Sequence, residues 1–66
     1  MELGNVKWFD LRSGVGQIQA DEGDFVHVDI KAVRKAGQAT LREGQLVAYD
    51  LEYARGTSVA DNLRVL

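Results

Sequence analysis

The chain contains no cysteine and no proline, and only five of its 66 residues are aromatic side chains of the Phe, Trp or Tyr type. Without cysteine, neither disulfides nor thiolate metal sites can form. No apolar run approaches the roughly 18 residues of a membrane-spanning helix. The N-terminal residues also lack the basic and apolar regions of a signal peptide. We therefore expect a cytoplasmic location and no membrane partner.

Positive charge is also scarce. Eight Lys and Arg residues stand against ten Asp and Glu residues, which gives a formal net charge of -2. A strongly basic balance would favour a nucleic-acid partner, and this chain does not have one. Any site for a polyanion must then be a local concentration of charge. The length predicts a single domain over residues 1–66, which buries only about 60% of its unfolded surface and holds one small core.

Seven glycines divide the chain into short β-prone segments. These segments cover residues 3–11, 15–20, 25–28, 46–53 and 58–65. Five short strands separated by turn residues are typical of a small all-β barrel or sandwich. Between the third and fourth segments, "DIKAVRKAG" predicts one short helix, with Asp29 as its N-cap and Gly37 as its C-terminal stop.

Alternation of apolar and polar residues along these segments predicts the core, because successive strand residues point to opposite faces. The predicted core residues are Val6, Ile18, Val26, Val47 and Leu51. The alternation places Tyr49 and Tyr53 on the same face as Val47, so we interpret both as core or rim packing.

Trp8 and Phe9 are adjacent, so a regular strand cannot direct both rings into one core. Alternation leaves open which ring faces water, and a bulge in the strand could bury both. The other predicted outward residues on the first three strands are Val15, Gln17, Gln19, Phe25 and His27, with Lys7 and Arg12 nearby. Outward Trp, Phe and His side chains beside cations are typical of a platform on which unpaired bases stack.

Several segments resemble the cold-shock domain, in the family's order and at nearly its spacing: "GNVKWFD", "SGVGQI", "DFVHV" and "LREGQLV", followed by "ADNLRVL". The resemblance implies an all-β fold, a five-stranded antiparallel OB-fold barrel with one short helix between strands 3 and 4. It also implies binding of single-stranded RNA or DNA. The positions that match family binding residues are Lys7, Trp8, Phe9, Phe25 and His27.

The chain departs from the family pattern in the first ribonucleoprotein motif. "SGVGQI" has Ser13 where the family has Lys, and Val15 and Gln17 where the family has Phe. Since stacking contributes about 1–3 kcal/mol per base, we expect binding weaker than is usual in the family. The predicted nucleic-acid site comprises Lys7, Trp8, Phe9, Val15, Gln17, Phe25 and His27.

Two other function classes stay open beside this hypothesis. The same barrel could serve as a protein-interaction module with a protein partner, because its binding face has lost rings and charge. An enzyme is not expected, since one His and no Cys leave little for nucleophilic catalysis. We expect no cofactor and no metal, and interpret the acidic "ADEGD" as a solvated turn. Exposed sheet edges leave a monomer or an edge-paired or swapped dimer open.

Overall fold

The computed structural model describes all 66 residues, which form five strands and one helix. In chain order these are β1 Glu2–Asp10, β2 Val15–Ala20, β3 Phe25–Asp29, α1 Ile30–Lys35, β4 Leu46–Ala54 and β5 Thr57–Val65. The strands close into a barrel in the order β1-β2-β3-β5-β4. The predicted all-β barrel with one helix between strands 3 and 4 is confirmed. None of its helical structure is both long and apolar enough to cross a membrane.

The sheet is antiparallel except at one place. β1 pairs antiparallel with β2 and β4, β2 with β3, and β4 with β5. β3 and β5 run parallel, and they are in register at His27 and Val59. A parallel pair needs a long connection, which α1, the loop after it and β4 supply here.

Helix α1 has the two ends that its sequence predicts. The Asp29 carboxylate accepts a hydrogen bond from the Ala32 N–H (3.0 Å), which makes Asp29 the N-cap. At the other end Gly37 has a φ of 82°, and its N–H donates to the carbonyl of Arg34. The N–H of the following Gln38 donates to the Val33 carbonyl. These two bonds form the Schellman arrangement that a left-handed glycine allows.

The barrel interior contains the predicted core. Val6, Ile18, Val26 and Val47 are all buried, as predicted. Leu51 is only half-buried and packs against the edge of the same cluster. The remaining buried members of the cluster are Val28, Ala32, Val33, Leu41, Tyr49, Ala60 and Leu63.

The predicted placement of Tyr53 is wrong, because its side chain is 74% exposed. Tyr53 keeps the inward parity of Val47 and Tyr49, but it pairs with Ser58 near the tip of the β4–β5 hairpin. That hairpin turns through Arg55 and Gly56, whose positive φ angles of 55° and 76° fit a two-residue turn. The ring of Tyr53 thus extends beyond the end of the core.

Tyr49 carries the one buried side-chain polar atom without a hydrogen-bond partner. The residue is 1% exposed, and its hydroxyl has no donor or acceptor within reach. Burial raises the pKa of this hydroxyl above 10.0, and the carboxylates of Glu2, Glu22, Asp21 and Asp24 raise it further. A buried polar group left unsatisfied costs about 1–3 kcal/mol, so this hydroxyl destabilises the fold.

Tyr49→Phe should therefore stabilise the domain, because it removes the unsatisfied oxygen and keeps the ring. A gain of about 1 kcal/mol would raise the melting temperature by about 4–8 °C in a domain of this size. Thermal unfolding at neutral pH measures the shift. Tyr53→Phe is the matched control, and it should leave the melting temperature unchanged because its hydroxyl is in water.

Comparing the parent with Tyr49→Phe at high pH also tests the raised pKa of the Tyr49 hydroxyl. Above pH 10 the unfolded chain loses a proton that the folded chain retains, so the unfolded state binds fewer protons and stability falls as pH rises. The parent should lose stability between pH 10 and the raised pKa, and Tyr49→Phe should lose less over that range. If the difference in free energy of unfolding between the parent and Tyr49→Phe stays the same from pH 8 to pH 11, the burial of this hydroxyl is contradicted.

Candidate nucleic-acid interface

A bulge in β1 sets the geometry of the outer face. Val6 is in register with Ile18 on β2, but the next pair along the ladder is Trp8 with Gln17, so Lys7 is the extra residue. An extra residue inverts the side-chain alternation beyond it. Val6 faces the core. A regular strand would have sent Trp8 inward as well, and the bulge sends it outward instead.

The bulge answers which of the two neighbouring rings faces water. Trp8 is 47% exposed. Phe9 is half-buried, pairs with Gly16 and packs against the core cluster. A bulge is present, as one alternative allowed, but it does not bury both rings.

Gly16 makes room for the Phe9 ring. A Cβ atom built on Gly16 would lie 2.5 Å from Cδ1 of Phe9 and 2.6 Å from the carbonyl oxygen of Trp8. Real side chains do not approach so closely, so only glycine fits here. The second glycine of "SGVGQI" is thus required by the packing of β1 on β2, whatever the face outside it binds.

The outward residues of β1, β2 and β3 form three rows, which together we call the outer face. The pairing registers place Trp8, Gln17 and His27 in the middle row. One flanking row holds Asn5, Gln19 and Phe25, and the other holds Asp10, Val15 and Asp29. The predicted outward positions of Val15, Gln17, Phe25 and His27 agree with this register. Gln19 is outward, as alternation predicts, whereas sequence reasoning missed Asn5, whose row is visible only once β1 is paired with β2.

The aromatic rings stand on the two outer strands of this face. Trp8 lies on β1, and Phe25 and His27 lie on β3, with Phe25 52% exposed. The central strand offers only Gln19, Gln17 and Val15. Trp8 and His27 are two strand spacings apart, about 10 Å, which is too far for one base to stack on both. The face therefore has separate ring positions with a polar centre between them.

Local charge on the outer face is mixed. Lys7, the bulged residue, is exposed beside Trp8. At the opposite end Asp10 and Asp29 flank Val15. Both carboxylates accept backbone hydrogen bonds, Asp10 from the Arg12 N–H (2.9 Å) and Asp29 from α1. Because Ser13 supplies no cation to that end, the row around Val15 is its acidic side.

His27 is placed for contact and not for proton transfer with a neighbouring carboxylate. It is half-buried in the middle row, and it makes no hydrogen bond to Asp24 or Asp29, its acidic neighbours in the sequence. The carboxylate of Asp29 instead caps α1. The half-buried imidazole thus lies next to Gln17 without a carboxylate partner.

A closed five-stranded barrel with one short helix before its fourth strand is an OB-fold. The family model described as the 'Cold-shock' DNA-binding domain matches residues 2–66. The chain belongs to the cold-shock domain family.

Individual relatives agree over nearly the whole length. The chain is 48% identical to cold shock protein CspA of Rhizobium meliloti, with 97% of each chain covered. It is 44% identical to cold shock protein CspC of Bacillus subtilis, covering 92% of this chain and 94% of the relative. A cold shock-like protein of Thermotoga maritima is 38% identical over 96% of both chains.

Gly16→Ala tests the close approach of Phe9. The added methyl group should displace the ring and the β1 backbone, and overpacking of this kind costs about 1–3 kcal/mol. We expect the melting temperature to fall by about 4–8 °C for each kcal/mol of stability removed. Gln17→Ala, one residue along and facing outward, serves as the control and should change stability little. If Gly16→Ala has the same melting temperature as the parent, the Phe9 ring does not lie on Gly16.

Proposed function

We propose that the protein binds single-stranded nucleic acid, RNA or DNA, on the outer face, and that it binds more weakly than a fully aromatic face would. The observation that carries the proposal is the middle row, in which the exposed Trp8 and the accessible His27 flank Gln17. Phe25 adds a third ring one row away. Rings of this kind stack on bases with little regard to sequence, and Lys7 offers a phosphate contact.

The proposed weakness follows from the central strand. Each base stacked on a ring contributes about 1–3 kcal/mol, and Val15 and Gln17 offer no ring. Gln17 can still hydrogen-bond a base edge, and Val15 can pack against one. The acidic residues beside Val15 add repulsion for a phosphate at that end of the face. Membership of the family supports the kind of ligand, and the central strand supports the lower affinity.

The proposed role is that of a binding module without a reaction of its own. A protein-interaction role remains the second candidate, because apolar side chains are also exposed beside the outer face, where Leu46 is in register with Asn5. Leu46 on β4 and the adjacent Leu66 are 60% and 69% exposed. Titration with an oligonucleotide separates the two roles, since Trp8 is the single tryptophan and lies within the proposed site. If the chain binds only a protein partner, adding a single-stranded oligonucleotide should leave the emission of Trp8 unchanged.

Placing rings on the central strand should restore affinity. Val15→Phe with Gln17→Phe should strengthen binding of a thymidine octamer by about 1–3 kcal/mol for each base newly stacked, or about 5- to 150-fold. The measurement is the dissociation constant from quenching of Trp8 emission at fixed salt. The matched control is Thr57→Phe with Leu66→Phe, which adds two exposed rings at the two ends of β5.

The central-strand variant should bind more tightly than both the parent and the control. Equal affinity of all three proteins would show that the outer face is not the nucleic-acid site. The protein-interaction role would then become the first candidate. Equal gains in both double variants would mean that exposed rings bind the strand anywhere on the barrel.

Ser13→Lys should add a contact of another kind. A new phosphate contact releases counterions, so the slope of log K against log salt should steepen by about 0.7 for a single strand. Titrations of parent and variant across a series of salt concentrations measure the slopes. The advantage of the variant should be large at low salt and vanish at high salt, whereas the gain from added rings should persist. A parallel displacement of the two lines, with no change of slope, would place residue 13 away from the phosphates.

A further inference from the structure

The middle row of the outer face does not end at His27. His27 is in register with Val59 on β5, and Val59 is in register with Glu52 on β4. Trp8, Gln17, His27, Val59 and Glu52 thus form one line of outward residues around the barrel. Beyond His27 this line enters a groove of about 340 Å³ between α1 and the β4–β5 hairpin.

The groove is lined by charges of both signs: Asp29, whose carboxylate caps α1, two lysines further along the helix, and two carboxylates on the hairpin side. Lys31 and Lys35, four residues apart on α1, line the helix side. Glu52 and Asp61 line the hairpin side, and Val59 and Ala60 contribute apolar surface between the walls. Neither lysine forms an ion pair, since the one ion pair of the chain joins the amino group of Met1 to Asp50 (3.9 Å). Both ammonium groups are therefore free to bind a ligand.

A nucleotide presents the complementary chemistry. Its phosphate is an anion for the lysine wall, and the base offers an apolar face for Val59. The exocyclic amino group of cytosine, adenine or guanine is a donor for a carboxylate, and Glu or Asp accepts from the amino group of cytosine in the same way. Thymine and uracil have no amino group, and their one ring N–H donor lies between two carbonyl oxygens, so they match a carboxylate less well.

We propose that a single strand bound on the outer face continues past His27 into this groove, where Lys31 and Lys35 bind its phosphates and Glu52 selects a base that bears an amino group. This inference rests on the proposed function, because it extends the same binding surface. It places phosphate contacts on α1.

The first experiment compares a short and a long strand. A thymidine tetramer and a thymidine octamer are titrated against the parent, against Lys31→Gln with Lys35→Gln, and against Arg34→Gln, with Trp8 emission as the signal. Arg34 is exposed on the same helix but does not line the groove, so it is the matched control. The exposed positions of all three residues make a loss of folding unexpected, and a melting curve of each variant checks this.

The double lysine variant should flatten the salt dependence of octamer binding, by about 0.7 in slope for each phosphate that a lysine no longer neutralises. Tetramer binding and the Arg34→Gln protein should keep the parent's slopes. An octamer slope unchanged by the double variant, or lowered equally by Arg34→Gln, overturns the inference. If the tetramer still quenches Trp8 in that case, the proposed function stands; if neither oligomer changes Trp8 emission, both fall.

The second experiment tests base selection. Thymidine octamers with a single deoxycytidine at one end or the other are compared with the all-thymidine octamer. The parent should bind one of the two substituted strands more tightly, and Glu52→Gln should abolish that preference while leaving the affinity for the all-thymidine strand at least as high. A preference that survives in Glu52→Gln, or the absence of any preference in the parent, overturns the assignment of Glu52.

Discussion

The bulge at Lys7 is the constraint on which the outer face depends. The backbone of Val6 is held by the loop before β4: its N–H donates to the Gln45 carbonyl (2.9 Å), and its carbonyl accepts from the Gly44 N–H (2.7 Å). The Val6 side chain is fully buried in the core. The extra residue directly after it reverses the alternation. Trp8 is thereby exposed, Phe9 is turned toward Gly16, and the middle row of the outer face is formed.

Alternation and glycine positions were sufficient to predict the strands, the helix and most of the core, because each depends on neighbours along the chain. The bounds of α1 followed from Asp29 and Gly37 for the same reason. The orientations of Trp8 and Phe9 did not follow, since a bulge is defined by the register with a partner strand. Tyr53 was misplaced because alternation does not show where a hairpin passes the end of the core.

The outer face was predictable in part. Phe25 and His27 are outward by simple parity on β3, and the resemblance to a known family marked them with Lys7 and Trp8. The row of Asn5 and Gln19 needed the pairing of β1 with β2. The continuation to Val59 and Glu52 needed the parallel pairing of β3 with β5, which joins residues far apart in the sequence and leaves no local pattern.

Val15 and Gln17, which differ from the family pattern, occupy positions that do not pack in the core. Val15 and Gln17 point outward on β2, while Gly16 and Ile18 between and beside them face Phe9 and the core. Alternation thus separates two sets of requirements within one short strand. The inward residues are required for the packing of the barrel, and the outward residues set the chemistry of its outer face. The outward residues can therefore change while the barrel is kept.

The parallel contact between β3 and β5 has a consequence for motion. These two strands are in register only at His27 and Val59, so they form the shortest stretch of pairing in the barrel. Local opening, and with it exchange of amide protons with solvent, is expected to begin where pairing is shortest. A strand of nucleic acid lying across His27 and Val59 would bridge this seam and bind only when it is closed. Binding would then stabilise the closed barrel by mass action. Local opening between β3 and β5 would therefore become rarer as the concentration of the ligand rises.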